Sequence, residues 1–133
     1  MADIKRYNDS NGKLMAIVIP HDYKTEGISF LTDNEDYQQL AVMSHPTDHI
    51  ILPHYHNLIK REIDYTTETL IVRSGILQVN LYENQVIVHT FDLKAGDIVT
   101  LFSGGHGFLV KENVNMVEVK QGPYVGDNDK TRF

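Results

Sequence analysis

The feature that most constrains this chain is the period of its apolar residues, which is two and not 3.6. From Ile76 to Tyr82, Leu77, Val79 and Leu81 fall on one side of an extended chain, and Gln78 and Asn80 on the other. The alternation returns from Met116 to Lys120, where Val117 and Val119 oppose Glu118 and Lys120. Between them Val86 to Phe91 is rich in β-branched and aromatic residues, which suit a pleated surface. Each run stops at turn formers: Glu83-Asn84, then Lys94-Ala95-Gly96-Asp97, then the glycines around His106. Upstream, Leu14 to Ile19 reads as a strand halted by Pro20, with weaker runs at Phe30-Leu31 and Leu40 to Ser44; a helical turn fits at Asp33 to Leu40. Short strands at this spacing predict an all-β sandwich or barrel. With 133 residues and no linker or repeat, a single domain over 1–133 is expected. The polar stretch Gln121 to Phe133 is expected to pack as a tail on the barrel or on a partner subunit.

Composition narrows the function. Twelve Lys+Arg against eighteen Asp+Glu gives a net charge of −6, which argues against a nucleic-acid binder or an electrostatic membrane anchor. The absence of cysteine excludes disulfides, thiol nucleophiles, thiolate zinc sites and iron–sulfur clusters. The first residues carry no signal-peptide pattern, and the longest apolar run, Leu14 to Ile19, is far short of a bilayer span. A cytoplasmic protein is expected.

The seven histidines are unevenly spread, and four of them, His45, His49, His54 and His56, lie close together. His54 and His56 are separated only by Tyr55, so on a strand both imidazoles leave the same face. Neutral imidazole is a ligand for zinc, iron, nickel and copper. Glu68 follows at the head of an apolar run, Gly75 follows that, and His106 stands among Gly104, Gly105 and Gly107. Two readings of this set stay open: ligands around one metal, or surface histidines and a solvated carboxylate. His21, His45 and His49 read as surface or loop residues, with His49 the one that could line a site mouth. His89 alternates with Ile87 and Phe91 and is not expected to be a ligand.

The order of a histidine pair, a carboxylate, a glycine, a long hairpin and a third histidine resembles the two sequence motifs of the cupin superfamily. His54, Tyr55, His56, Glu68 and Gly75 match the first motif; Gly96, Asp97, Gly104 and His106 match the second in part. The resemblance covers about residues 53–107. The chain departs from it in the long spacing from His56 to Glu68, which implies an insertion in the first hairpin, and in Phe102, which stands where proline is usual. Glu62 is a rival carboxylate. Ser103 to Phe108, Glu118 to Tyr124 and Asp129 to Phe133 are also similar to a group of small single-domain cupins encoded near sugar-nucleotide and surface-polysaccharide enzymes.

The resemblance implies a cupin-type double-stranded β-helix, a jelly-roll β-barrel. It implies one divalent transition metal (Fe, Mn, Ni, Zn or Co) held by His54, His56, Glu68 and His106. It implies a carbohydrate-like or small polar metabolite as substrate, in an isomerase, epimerase or oxygenase reaction. Two alternatives stand beside this: a metal-free sugar-nucleotide isomerase or epimerase working by acid–base chemistry, and a cupin that binds a small ligand without turnover. Tyr55, Arg61, Glu118 and Lys120 are the candidate substrate-binding residues, with Arg73 weaker. Glu118 and Lys120 either point into the barrel mouth or lie on an ordinary outward face. A homodimer is expected, formed by pairing of the N-terminal strand.

Overall fold

The computed structural model describes residues 2–133, and the chain is all-β, with 48% of it in strands and 3% helical. The strands are β1 (Lys5–Asn8), β2 (Leu14–Ile19), β3 (Gly27–Phe30), β4 (Ala41–Ser44), β5 (Glu68–Glu83), β6 (Val86–Lys94), β7 (Ile98–Leu101) and β8 (Gly105–Lys120). A single-turn 3-10 helix follows at Gly126–Asp129. The chain divides into two compact units.

The larger unit holds residues up to Tyr23 and from Thr66 onward. Its antiparallel sheet is strongly curled into a half-barrel. The strand order is β1-β2-β7-β5-β6, with β8 also paired to β5. The turn at Lys94–Asp97 makes β6 and β7 follow one another along one edge of β5, while β8 runs along the other. Gly96 takes positive φ (89°) there, and the carboxylate of Asp97 fastens the turn by accepting from the Lys94 and His21 backbone N–H groups at 2.9 and 2.8 Å. The β5–β6 hairpin closes through Asn84 and Gln85, both at positive φ, the conformation that matches strand twist in a two-residue turn.

The core lies on the concave face. Leu77, Val79, Leu81, Leu93 and Val99 are fully buried there, with Leu70 and Val72 beside them. Buried positions on β5 change from even (Leu70, Val72) to odd (Leu77, Val79, Leu81). One residue of slip flips every side chain to the other face of a strand, so the change marks a bulge. Pairing of β5 with β8 shifts register between Val72 and Leu77, around Gly75 at φ 87°. In the sequence Gly75 interrupts the apolar run that begins at Glu68; the structure carries one strand through it, because the local irregularity is absorbed as a bulge. At the open edges, Tyr7 of β1 stacks on Phe91 of β6 with centroids 4.4 Å apart, and His89 Nε2 donates to the Asn8 carbonyl at 2.8 Å. The end of the tail packs on β5, with the Phe133 ring edge-on to Tyr82 at 5.1 Å.

The smaller unit, Lys24–Tyr65, contains the β3–β4 hairpin. Its turn is no helix: Gln39 Nε2 donates to the Asp33 and Asp36 carbonyls and ties the segment into bends. Residues 49–64 form neither helix nor strand. The strand expected through His54 and His56 is therefore absent. The physical reason lies in Ile50-Ile51-Leu52-Pro53, where apolar residues run together without alternating and proline removes a ladder donor.

Candidate functional site

Glu68 opens β5 and pairs in register with Lys120, while His106 lies near the start of β8 and pairs with Leu81. The two belong to opposite ends of one long ribbon. Thirteen residues of straight strand separate position 68 from position 81, roughly 43 Å at about 3.3 Å each. Yet His106 Nε2 lies 2.7 Å from Glu68 Oε1. The ribbon therefore folds back on itself, and the bulge around Gly75 is its corner. His106 sits within strand β8, not in the turn that its three glycines predict; of these only Gly104, just before the strand, takes positive φ (76°).

The Glu68 side chain is 10% exposed and the His106 imidazole 33%. A clamp next to Glu68 holds the end of β8 against the start of β5: Gln121 accepts from the Thr67 N–H at 2.9 Å and donates to the Thr67 hydroxyl at 2.6 Å. Sequence reasoning passes over Gln121, since a single glutamine in a polar tail gives no signal.

Glu118 and Lys120 join the pair. Their register partners, Leu70 and Glu68, place both on the concave face, while Val117 and Val119 face the other way and stay about half exposed. Glu118 is nevertheless about half exposed there, and Lys120 is part-buried. Glu118 hydrogen-bonds Glu68, and Lys120 Nζ stands 4.0 Å from Glu118 Oε2. The electrostatics split the two carboxyls. The hydrogen bond from His106 holds Glu68 down to about 2, helped by Glu118 and by the charges of His106 and Lys120, against the opposing effect of burial. The hydrogen bond with Glu68 pushes Glu118 above its ordinary value, with burial and the Glu68 charge adding to it. At neutral pH Glu68 is a carboxylate, and Glu118 is the acid that gives up its proton less readily.

The remaining candidates lie in the smaller unit. Within it the rings of His54 and His56 meet edge-on at 5.5 Å, and both residues are exposed. His54 Nδ1 donates to the Leu52 carbonyl at 2.8 Å, which directs its Nε2 lone pair outward. Tyr55 is 86% exposed, and Arg61 is exposed too. His45 and His49 stack in parallel at 4.1 Å. Within either unit, no group of three or more His, Asp or Glu among the described residues is arranged to hold a metal ion. Nor is any helix among those residues long and apolar enough to cross a membrane.

Compared with known protein families, curated proteins and solved structures, the chain matches none.

Proposed function

We propose that this chain is a cupin-like protein that holds a divalent transition metal and acts on a carbohydrate-like or other small polar metabolite, as an isomerase, epimerase or oxygenase. The observation that carries the reading is the Glu68–His106 pair. A carboxylate and an imidazole from the two ends of a folded-over ribbon meet at 2.7 Å on the concave face, and a long antiparallel ribbon folded on itself is how jelly rolls are built. The donor set fits: imidazole and carboxylate together suit iron, manganese, nickel, zinc or cobalt. The cupin resemblance supplies His54 and His56 as the further ligands. His54 has the anchored Nδ1 and outward Nε2 common to ligating histidines. Bound at these residues, the metal would polarise a substrate carbonyl or hydroxyl or, as iron, serve as a redox centre.

The chain's own groups would do the rest. Glu118, kept protonated more readily than an ordinary carboxylic acid, is placed to hand a proton to a substrate oxygen or take one back. Lys120 fixes positive charge beside that exchange and suits a substrate hydroxylate or carboxylate. Tyr55 and Arg61, both exposed in the smaller unit, are candidate substrate donors on the cupin resemblance alone.

The same pair supports a second, metal-free reading. With Nε2–H donated to Glu68, a neutral His106 carries its lone pair on Nδ1, and an imidazole oriented by a carboxylate is a general base for sugar isomerisation or epimerisation.

Elemental analysis of untagged protein separates the two, with wild type run beside His54→Ala and Glu68→Gln. About one equivalent of a transition metal, lost in both variants, is expected. Wild type that stays metal-free after loading refutes the metal reading and leaves the acid–base one, to be pursued by sugar-nucleotide titration.

We propose a homodimer as well. The support is the outer edge of β8, sixteen residues long and without a strand partner among the described residues, with Leu109, Val110, Val117 and Val119 about half exposed along it. Light scattering at micromolar concentration should give about twice 15.2 kDa; a monomer mass rejects it.

A further inference from the structure

The segment from Ile50 to Ile59 is the least satisfied stretch of the smaller unit. Leu58 is fully exposed, Ile50, Leu52 and Tyr55 are at least three-quarters exposed, and Ile51 and Ile59 more than half. These six residues present on the order of 800 Å² to solvent, at roughly 180 Å² for a whole large side chain. The largest apolar patch of a typical monomer is about 300–600 Å², while each partner in a standard interface buries about 800 Å². The backbone is as bare as the side chains. Residues 50–64 belong to no strand and make no backbone–backbone hydrogen bond among the described residues.

The second unmet surface is on β8. Its outer edge has no strand beside it among the described residues, and Leu109, Val110, Val117 and Val119 are about half exposed along it. An extended apolar segment and a bare strand edge are the two halves of strand addition, in which backbone hydrogen bonds hold the added strand. Pro53 is tolerated in an added outer strand, where the missing N–H faces solvent. The strand period then puts His54, His56 and Leu58 on one face. Anionic lipid is a poorer match for the segment, because residues 24–65 carry seven Asp+Glu against three Lys+Arg.

We propose that residues 50–59 are an exchanged arm. They add as a strand to the outer edge of β8 in a second copy and bring His54 and His56 to that copy's Glu68–His106 pair, so each metal centre draws its ligands from two chains. Exchange in both directions closes a two-fold dimer and takes the buried surface into the obligate range, roughly 2,000 Å² and above. The inference rests on the metal and dimer readings above and adds which chain supplies which ligand.

The chain has no cysteine, so a single one introduced at the exposed Asn57 takes a nitroxide label alone. Labelled Asn57→Cys protein of natural isotope abundance is co-refolded from urea with 15N-labelled wild type. Amides along β8 of the 15N chain should broaden, because only the partner's arm carries the label. The same label on a 15N chain diluted with excess unlabelled wild type reads contact within one chain. The exchange is refuted if only this second sample broadens β8, if neither does, or if light scattering gives a monomer mass. Metal tests the ligands. His54→Ala/His56→Ala chains and Glu68→Gln/His106→Ala chains should each be metal-free alone, and the co-refolded mixture should regain about one site per mixed dimer. No recovery where wild type holds metal refutes the shared centre. Wild type that holds no metal while β8 still broadens between chains overturns the metal reading and leaves the arm exchange standing.

Discussion

Replacing Gly75 by alanine should unfold this protein more effectively than any other single methyl addition at a glycine. Two costs combine at that site. The backbone is at φ 87°, and holding a residue with a Cβ in the left-handed region costs roughly 1–2 kcal/mol. The added methyl would also overlap the Asn113 carbonyl oxygen and come within 2.7 Å of its carbon and 2.8 Å of Val114 Cα. These are backbone atoms of β8, so no side chain can swing aside. Relief requires prying β8 from β5 at the corner of the ribbon, which opens contacts of the buried Leu77 and Val72. Adding about 2–3 kcal/mol for that strain gives about 3–5 kcal/mol in all, a large part of a typical domain's stability. Gly12 is the control: its φ is 80°, but a methyl there meets nothing within 4 Å. Gly12→Ala should cost only about 1–2 kcal/mol, the backbone cost alone. Urea unfolding followed by far-UV circular dichroism measures both. Equal losses in the two variants would show that the β5–β8 corner relaxes freely, and the argument that Gly75 fixes the fold-over would fall.

Three further outcomes can be checked together. Glu68 is held at about 2 in the folded protein, below its ordinary value near 4.5. Its stabilisation is thus fully present above pH 4.5 and lost as pH falls toward 2, by about 2–3 kcal/mol. Glu118 is shifted upward, so the protein should gain slightly as pH falls toward 4.5 before that loss begins. Melting of metal-free protein across this range reads both, and Glu68→Gln should abolish the acid loss; an unchanged slope in that variant rejects the assignment. Asp97→Ala leaves the backbone N–H groups of His21 and Lys94 without their acceptor at a residue only 7% exposed and should cost about 2–4 kcal/mol in urea unfolding; a loss under 1 kcal/mol contradicts the turn's role. Gln121→Ala removes the clamp on Thr67 and should cost about 1–2 kcal/mol, with faster amide exchange at Thr67; unchanged exchange there denies the clamp.

How much of this was readable from the chain depended on what each stretch packs against. β2 matches its sequence run residue for residue, because Pro20 punctuates an apolar segment, and β7 begins directly after the Gly96-Asp97 turn that the sequence marks. β5 and β8 are each sixteen residues long and exceed their apolar signals. In β5 a glycine that reads as punctuation is a bulge inside a strand. In β8 residues 105–115 show no alternation, since most of them are exposed and no buried face imposes one. The segment around His54 shows the reverse failure: an i, i+2 histidine pair signals a strand only if the flanking residues alternate, and these do not. At the site, motif order pointed to Glu68 and His106 singly. Glu118 and Lys120 come to Glu68 through β5–β8 register, and His106 comes to it through the fold-over of the ribbon, long-range geometries that no local spacing encodes.

The layout of the ribbon bears on how the chain folds. β5, β6, β7 and β8 are consecutive, and each pairs with β5, so residues 68–120 can assemble through successive short loop closures. β1 and β2 join the strand ladder through β7, about eighty positions later in sequence, and closing so long a loop is slow. The N-terminal hairpin should therefore dock last, onto a ribbon whose corner and Glu68–His106 contact are already in place. Pulsed hydrogen exchange during refolding would report this as late protection of Ile17 and Val18 relative to Val79 and Leu81. Simultaneous protection would mean that the half-barrel closes in one cooperative step.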